Sequence, residues 1–237
     1  MQYMKVVILC GGKGTRLSEE TKKIPKPMVK IGSYPILEHI INIFRKFGYK
    51  EFILALGYKR HIIENYFKNE KFNGLEIKTI NTGLNTLTGN RVLKLKKFLN
   101  KEENFLLTYG DGLSNINLNK LVNFHKKHKK IATVTAVRPP ARFGEIFMNE
   151  IGSVRKFDEK NQIRTGWING GFFVFNKKIF NYIPKKKNCM LEKDPMKLLV
   201  KKKQLLAYKH FSFWQCMDTL RDKELLNKIW KTNKNKW

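Results

Sequence analysis

The sequence is short of acidic residues, of cysteine and of long apolar runs. Only 19 of its 237 residues are Asp or Glu, against 48 Lys and Arg, so the formal net charge is +29. No apolar run approaches the roughly 18 residues that a membrane-spanning helix needs. The stretch VVILC, residues 6–10, runs directly into glycines and is too short for the core of a secretion signal. We therefore expect a cytoplasmic protein with no membrane partner.

The three cysteines argue against two common uses of sulfur. Cys10, Cys189 and Cys216 form no CxxC pair and lack the spacing of metal ligands. An odd number of cysteines in a chain without an export signal indicates reduced thiols, because disulfides form in oxidising compartments. Cys10 lies in an apolar strand pattern, so it is predicted to be a core residue and not a nucleophile.

The excess of positive charge does not by itself identify a partner. Of the basic residues, 39 are Lys and only 9 are Arg, and the lysines are spread along the whole chain. Nucleic-acid-binding proteins favour arginine for bidentate contacts, and no basic motif with interleaved aromatics is present. A solvated lysine-rich surface is therefore favoured over a nucleic-acid partner. His125 and His128 are likewise predicted to lie on a solvated helix face and not to bind metal.

Strand and helix patterns alternate along the first part of the chain. Five apolar runs predict strands, at residues 5–10, 52–58, 75–81, 104–111 and 131–137. Amphipathic stretches lie between them, so crossover connections and a mostly parallel sheet with helices on both faces are predicted. The sequence therefore indicates an α/β fold.

The pattern changes at about residue 138. Short strands joined by glycine turns follow, and a helix is predicted from Thr219 to about Trp230. Nothing resembles a linker or a repeat. We expect a single domain over 1–237, with a nucleotide-binding half at about 1–137 and a smaller, β-rich substrate-binding half at about 138–237.

The first predicted strand ends in a glycine-rich loop, GGKGTRL. The loop does not fit GxxxxGK[ST], and Leu17 stands where GxGxxG needs its third glycine. Its backbone can nevertheless approach a base or a phosphate closely, and Thr15 and Arg16 add a hydroxyl and a cationic fork. Taken alone, this loop could also be an ordinary connection between a strand and a helix.

Two later motifs add charged groups. Lys26 in PKPM lies between two prolines that stiffen the backbone around it. Asp111 in TYGDG follows the end of a buried strand, where open α/β sheets bind their ligands. Taken alone, Lys26 could be a surface lysine, and Asp111 could be either a metal ligand or a turn residue.

GGKGTRL, PKPM and YGDG in this order resemble the motifs of the sugar-1-phosphate nucleotidylyltransferases. Further similar stretches extend over nearly the whole chain: RLSEET, PKPMVKIG, NTGLNTLTGNR, FLLTYGDG, RFGEI, WINGGFFVFN and FWQCMDTLRDK. Within this family the chain is most similar to the cytidylyltransferases that act on glucose 1-phosphate. The resemblance implies a Rossmann-like nucleotidyltransferase fold and a homo-oligomer.

The resemblance also implies a reaction. A nucleotidyl group passes from CTP to α-D-glucose 1-phosphate with Mg²⁺ as cofactor, which gives CDP-glucose and pyrophosphate for deoxysugar or surface polysaccharide synthesis. UTP or dTTP, or another sugar 1-phosphate, are alternatives. An inactive regulatory subunit of the same fold is a further alternative, which the joint presence of Arg16, Lys26, Asp111 and Asp218 disfavours.

Roles follow for the residues that match the family motifs. The catalytic residues implied are Arg16, Lys26 and Asp111, and the Mg²⁺ ligands implied are Asp111 and Asp218. The nucleotide-binding residues implied are Leu9, Gly11, Gly12, Lys13, Gly14, Thr15, Arg16, Lys26, Thr86, Arg91 and Gly110. The residues implied to bind the sugar phosphate are Gly144, Glu159, Lys160, Asn169 and Gly170.

Three departures from the family pattern bear on the identity of the base and the sugar. Ile24 replaces the first lysine of a common Lys-Pro-Lys-Pro motif, and Lys22 or Lys23 could take over its role. The segment at about 66–84 is shorter than expected. Asn161 stands where proline is usual.

Overall fold

A seven-stranded sheet lies at the centre of the computed structural model, which describes residues 4–138, 145–158, 166–186, 188–233 and 236–237. In chain order the strands are β1 (Val6–Cys10), β2 (Lys30–Ile31), β3 (Tyr34–Pro35), β4 (Glu51–Leu56), β5 (Glu76–Asn81), β6 (Asn104–Tyr109), β7 (Gly112–Ser114), β8 (Ala132–Val137), β9 (Glu145–Met148), β10 (Val154–Asp158), β11 (Ile168–Asn176), β12 (Leu205–His210) and β13 (Trp214–Cys216). The α-helices are α1 (Ser18–Thr21), α2 (Ile36–Arg45), α3 (Arg60–Tyr66), α4 (Thr88–Lys94), α5 (Lys96–Leu99), α6 (Leu118–His128), α7 (Asp194–Lys201) and α8 (Leu220–Thr232). Short 3₁₀ turns lie at Thr15–Leu17, Lys26–Met28, Glu70–Phe72 and Lys177–Asn181.

The strand order of the large sheet is β12-β8-β11-β6-β1-β4-β5. All its strands run in one direction except β11, which is antiparallel to both β6 and β8. The predicted mostly parallel sheet with flanking helices is thus confirmed. The carboxyl ends of six strands and the amino end of β11 meet at one edge of the sheet. The smaller ladders β2–β3, β7–β13 and β9–β10 have two strands each.

Two hydrophobic cores cover the two faces of the sheet, because successive residues of a strand point to opposite faces. Val6 and Ile8 of β1 join the core that α2, α6 and α8 cover. Val7 and Leu9 join the core that α4, α5 and α7 cover. Burial of each large apolar side chain stabilises the fold by about 1.5–3 kcal/mol. Cys10 is buried in the first core, as predicted.

Two parts of the helical structure differ from the sequence patterns. The apolar spacing from residue 88 to 100 predicts one helix, but the structure has two short ones, α4 and α5, on either side of Leu95. No pattern considered above predicts α7, in which lysines interrupt a short apolar stretch. Within the described ranges, no helix combines the length and apolar character that crossing a bilayer requires.

The solvated face predicted for the histidines of α6 is wrong for His125, which is 2% exposed. The Nδ1 atom of His125 lies 2.9 Å from Thr133 Oγ1, and its Nε2 atom lies 3.2 Å from Asn104 Oδ1. Burial, together with the neighbouring His128, lowers the pKa of His125 to about 4. The lysines around it in the sequence suggest exposure, but its helical position faces the sheet.

The low pKa of His125 makes stability depend on pH. Between about pH 6.5 and pH 4, the unfolded chain protonates this ring and the folded protein does not, so the free energy of unfolding falls as the pH falls. The stability lost through this one group is at most about 3 kcal/mol. In urea unfolding at pH 7, 5.5 and 4.5, His125→Gln is expected to show a shallower loss than the wild type.

His61 provides the matched control, because it is exposed. His61→Gln is expected to keep the wild-type pH dependence of unfolding. An equal pH dependence in the wild type and in both variants would contradict the assignment to His125.

Candidate active site

A cavity of about 1410 Å³ opens where the carboxyl ends of the parallel strands meet. The loop after β1, the 3₁₀ turn at Lys26–Met28 and the loop after β6 line it. The beginning of β11, the segment before α7 and the beginning of α8 line it as well. The cavity therefore lies at the edge where open α/β sheets bind ligands.

The glycine-rich loop after β1 forms part of the cavity wall. Gly14 adopts a φ of 67°, in the left-handed region that favours glycine. Its carbonyl accepts hydrogen bonds from Leu17 N at 2.9 Å and from Thr21 Oγ1 at 3.1 Å. The predicted nucleotide-binding residues of this stretch that line the cavity are Leu9, Gly11, Gly12, Gly14, Thr15 and Arg16. Lys13 is exposed and does not line it.

Arg91 lies beneath the glycine-rich loop and is 3% exposed. Its guanidinium donates to Gly11 O at 2.8 Å, to Leu56 O at 3.0 Å and to Thr82 Oγ1 at 2.5 Å. A Cβ on Gly11 would lie 2.1 Å from Arg91 Nη1, so only glycine permits this close approach. Arg91 thus holds the backbone of the loop in place through its hydrogen bond to Gly11 O. Its predicted direct contact with the nucleotide stays a prediction.

Four charged side chains are in contact with one another beside the glycine-rich loop. The Lys26 ammonium donates to Asp111 Oδ2 and to Asp218 Oδ1, each at 2.6 Å. Arg16 Nη1 lies 2.8 Å from the other oxygen of Asp218. Lys26 is nearly buried, whereas the Arg16 side chain is 72% exposed. The structure therefore brings together all the residues for which catalytic or metal-binding roles are predicted.

Burial and pairing have opposite effects on this cluster. Burial alone would lower the pKa of Lys26, but the carboxylates of Asp111 and Asp218 raise it above its ordinary value. Burial alone would raise the pKa of Asp218, but its hydrogen bond to Lys26 and the charges of Lys26 and Arg16 lower it. The shifts indicate a protonated lysine and an ionised Asp218 at neutral pH.

A short ladder brings Asp111 and Asp218 together. In it Cys216 of β13 pairs with Gly112 of β7, and Met217 N donates to Asp111 O at 2.8 Å. The turn into α8 is then fixed by Asp222, whose Oδ2 accepts from Asp218 N at 3.0 Å and from Thr219 N at 2.9 Å. This arrangement holds the Asp218 carboxylate against Lys26.

The donor set of this cluster suits Mg²⁺. Asp111 and Asp218 each contribute an oxygen to the same ammonium, so these two oxygens are at most two short hydrogen bonds apart. Magnesium is commonly held by one or two carboxylates plus the phosphates of a substrate. No group of three or more His, Cys, Asp or Glu side chains that could hold a metal by itself occurs in the part of the chain that the structure describes.

The residues predicted further along the cavity are placed as follows. Thr86 and Gly110 line it, and Thr86 Oγ1 donates to Thr82 O at 2.6 Å. Asn169, at the beginning of β11, also lines it. The next residue, Gly170, is held there because its carbonyl accepts from Trp214 Nε1 at 2.7 Å. Gly144, Glu159 and Lys160 lie outside the described residues.

The structure places Ile24 and its two neighbouring lysines away from the cavity. Ile24 is half-buried against the core, and neither Lys22 nor Lys23 lines the cavity. Their backbone carbonyls accept hydrogen bonds from Lys59 Nζ at 2.8 and 3.1 Å. Lys59 therefore supports the segment that leads to Lys26.

The sequence analysis missed several polar residues of the cavity wall, among them Thr88, Tyr109, Glu192 and Asp222. Thr219 and Asp222 carried the only usable signal, because a hydroxyl residue followed three positions later by an acid before a helix is typical of a capping box. Glu192 stands in no recognisable motif. Its partners are 83 and 104 residues away in the chain, so no local pattern reveals it.

The chain is similar to proteins of known family along almost its whole length. The family model described as nucleotidyl transferase matches residues 5–230. A probable glucose-1-phosphate cytidylyltransferase of Bacillus subtilis (strain 168) is 42% identical over 254 aligned residues, which cover 99% of both chains. The glucose-1-phosphate cytidylyltransferase of Salmonella typhi is 39% identical over 255, covering 99% of this chain and 98% of the relative.

A solved structure shows the same fold. A putative glucose-1-phosphate thymidylyltransferase from Bacillus anthracis, in complex with sucrose, superposes with a TM-score of 0.76 at 18% identity. The match covers 95% of this chain and 94% of the other. The predicted nucleotidyltransferase fold is thus confirmed.

The position of Arg91 predicts how a conservative change would act. Arg91→Lys keeps the charge but replaces a five-donor fork by a single ammonium, so buried acceptors such as Gly11 O lose their partners. We expect a loss of about 2 kcal/mol in the free energy of unfolding, measured in urea at pH 7. Arg45→Lys, on an exposed position of α2, is the control and is expected to change it by less than about 0.5 kcal/mol. Equal stabilities of the two variants would refute a supporting role for Arg91.

Proposed function

This chain belongs to the nucleotidyl transferase family, and we propose that it transfers the cytidylyl group of CTP to α-D-glucose 1-phosphate. The products would be CDP-glucose and pyrophosphate. The observation that carries the proposal is the convergence of Arg16, Lys26, Asp111 and Asp218 beside a glycine-rich loop.

The reaction needs no general base in this cavity. A sugar 1-phosphate is already an anion at neutral pH, so its phosphate oxygen can attack the α-phosphorus of the nucleotide directly. The new P–O bond forms as the bond from the α-phosphorus to the leaving pyrophosphate breaks. The barrier lies in bringing two anions together and in stabilising the charge that develops.

The charged cluster provides that stabilisation. Lys26 stays protonated and is held in place by its two carboxylate partners, so its position costs little reorganisation during the reaction. Arg16 is more exposed and can turn its fork from Asp218 to an incoming phosphate. Asp111 and Asp218 would hold Mg²⁺, which when bound neutralises phosphate charge.

The choice of cytosine and glucose rests on the two relatives with that substrate in their names, at 42% and 39% identity. A CDP-sugar product would enter deoxysugar or surface polysaccharide synthesis. The cytoplasmic location, the homo-oligomer and the division of the chain into two functional halves stay predictions.

Pyrophosphate release tests the proposed reaction. The wild type is assayed with CTP, UTP, dTTP, ATP and GTP, each with α-D-glucose 1-phosphate and Mg²⁺. We expect turnover with CTP, and a fall of about 10²-fold or more in Asp111→Asn, because one fixed charge at the reacting phosphates is lost.

Asp194→Asn is the matched control, because Asp194 pairs with Lys186 on the surface and does not line the cavity. It is expected to keep wild-type turnover. Turnover with UTP or dTTP alone would refute cytosine as the base. If no pyrophosphate is released with any nucleotide, the proposed reaction is refuted and the inactive-subunit alternative is favoured.

Metal removal tests the roles of the two aspartates. Treatment with EDTA is expected to abolish pyrophosphate release, and added Mg²⁺ is expected to restore it, because two carboxylates with phosphates form a magnesium site. Asp218→Asn is expected to raise the Mg²⁺ concentration for half-maximal rate by about tenfold, since one charged ligand is lost. Full activity in EDTA, or an unchanged Mg²⁺ requirement in Asp218→Asn, would contradict the proposed metal site.

A further inference from the structure

Glu192 lines the cavity, and the mechanism above gives it no role. Its Oε1 accepts the Tyr109 hydroxyl proton at 2.6 Å, and its Oε2 accepts the Thr88 hydroxyl proton at 2.6 Å. Tyr109 is the last residue of β6, and Thr88 is the first residue of α4. One carboxylate thus links two elements of the cavity wall.

The direction of these hydrogen bonds is fixed at the Tyr109 end. A backbone N–H can only donate, so the Asn169 atom that lies 2.9 Å from Gly171 N must be its carbonyl oxygen. The Asn169 amide nitrogen therefore faces Tyr109, to whose oxygen it donates at 3.2 Å. The Tyr109 hydroxyl in turn donates its proton to Glu192 Oε1 at 2.6 Å.

The other end of Glu192 is arranged in the same way. Leu191 N donates to Thr88 Oγ1 at 2.9 Å, and the Thr88 hydroxyl donates to Glu192 Oε2 at 2.6 Å. Each oxygen of Glu192 thus accepts one hydroxyl proton.

We propose that Glu192 is a positioning residue that orients Asn169, through Tyr109, for binding the hydroxyl groups of the sugar phosphate. The Asn169 amide uses one N–H and one oxygen lone pair on the contacts above. Among the described residues it has no further partner, and one N–H and one lone pair are left on an exposed residue that lines the cavity. A donor and an acceptor on one rigid amide match a polyol substrate.

The surrounding backbone holds this arrangement still. Asn169 is the second residue of the strand β11, whose ladder is irregular between Asn169 and Phe173. Trp214 Nε1 binds the next carbonyl, that of Gly170, at 2.7 Å. The Asn169 amide is thus held on a strand. Glu192 determines, through Tyr109, which side of the amide carries the N–H groups, and it makes no contact with the sugar itself.

This inference rests on the proposed function, because the test needs a sugar 1-phosphate that the wild type uses. Glu192→Gln keeps the shape of the side chain, but its NH₂ group faces Tyr109 or Thr88, each of which needs an acceptor. We expect the KM for α-D-glucose 1-phosphate to rise about tenfold or more, because a misdirected amide loses its pairing with the sugar. The KM for CTP and the midpoint of thermal unfolding are expected to stay nearly unchanged.

Tyr109→Phe is the second variant, and it should raise the same KM because Asn169 loses its acceptor. Since both residues act along one chain of hydrogen bonds, Glu192→Gln combined with Tyr109→Phe is expected to be no worse than the more damaged single variant. Glu64→Gln, a surface pair with Arg60 on α3, is the matched control and should change neither KM.

Three results would overturn the inference while leaving the proposed function intact. They are an unchanged KM for the sugar phosphate in Glu192→Gln, an equal rise in both KM values, and multiplicative effects in the double variant. A wild type that releases no pyrophosphate with any nucleotide would instead refute the proposed function, and this inference with it.

Discussion

One nearly buried ammonium, that of Lys26, links the elements that surround the cavity at the carboxyl edge of the sheet. Its two carboxylate partners lie 85 and 192 residues further along the chain. A buried charge without a partner would be strongly destabilising, so the end of β6, the turn into α8 and the 3₁₀ turn at Lys26–Met28 can only coexist in this mutual arrangement. The ammonium thus links these elements structurally, in addition to the role in phosphate binding that we propose for it.

Much of the polar structure around this edge consists of side chains that bind backbone. Arg91 binds the carbonyls of the glycine-rich loop and of β4, Lys59 binds those that precede Lys26, and Asp222 binds the amides that follow Asp218. The glycine-rich loop carries little side-chain surface of its own. Its shape is therefore fixed by side chains from other elements, such as Arg91.

The elements that the sequence predicted well are those whose signals are local. The apolar run of β1, the amphipathic face of α2 and the position of Asp111 after a strand can all be read within a few residues. The direction of β11 cannot be read from nearby residues, because apolar and polar residues alternate in the same way in a parallel and in an antiparallel strand. His125 shows a further limit, since neighbouring lysines suggest exposure while the helix phase decides burial.

The site was predictable in proportion to its motifs. Family motifs singled out Lys26 and Asp111, and only the resemblance pointed to Asp218, because its approach to Asp111 depends on a ladder between segments about a hundred residues apart. Glu192 belongs to no motif. A role for Glu192 can be inferred only from the hydrogen bonds that Thr88 and Tyr109 make to it in the folded structure.

The β7–β13 ladder has a consequence for how this protein can evolve. Each of its strands has three residues. Asp111 lies directly before β7, and Asp218 lies two positions after β13. Side chains alternate along a strand, so a single inserted or deleted residue there would turn the aspartate to the opposite face. Length changes in this lineage should therefore accumulate in the surface connections, while the two short stretches keep a constant number of residues.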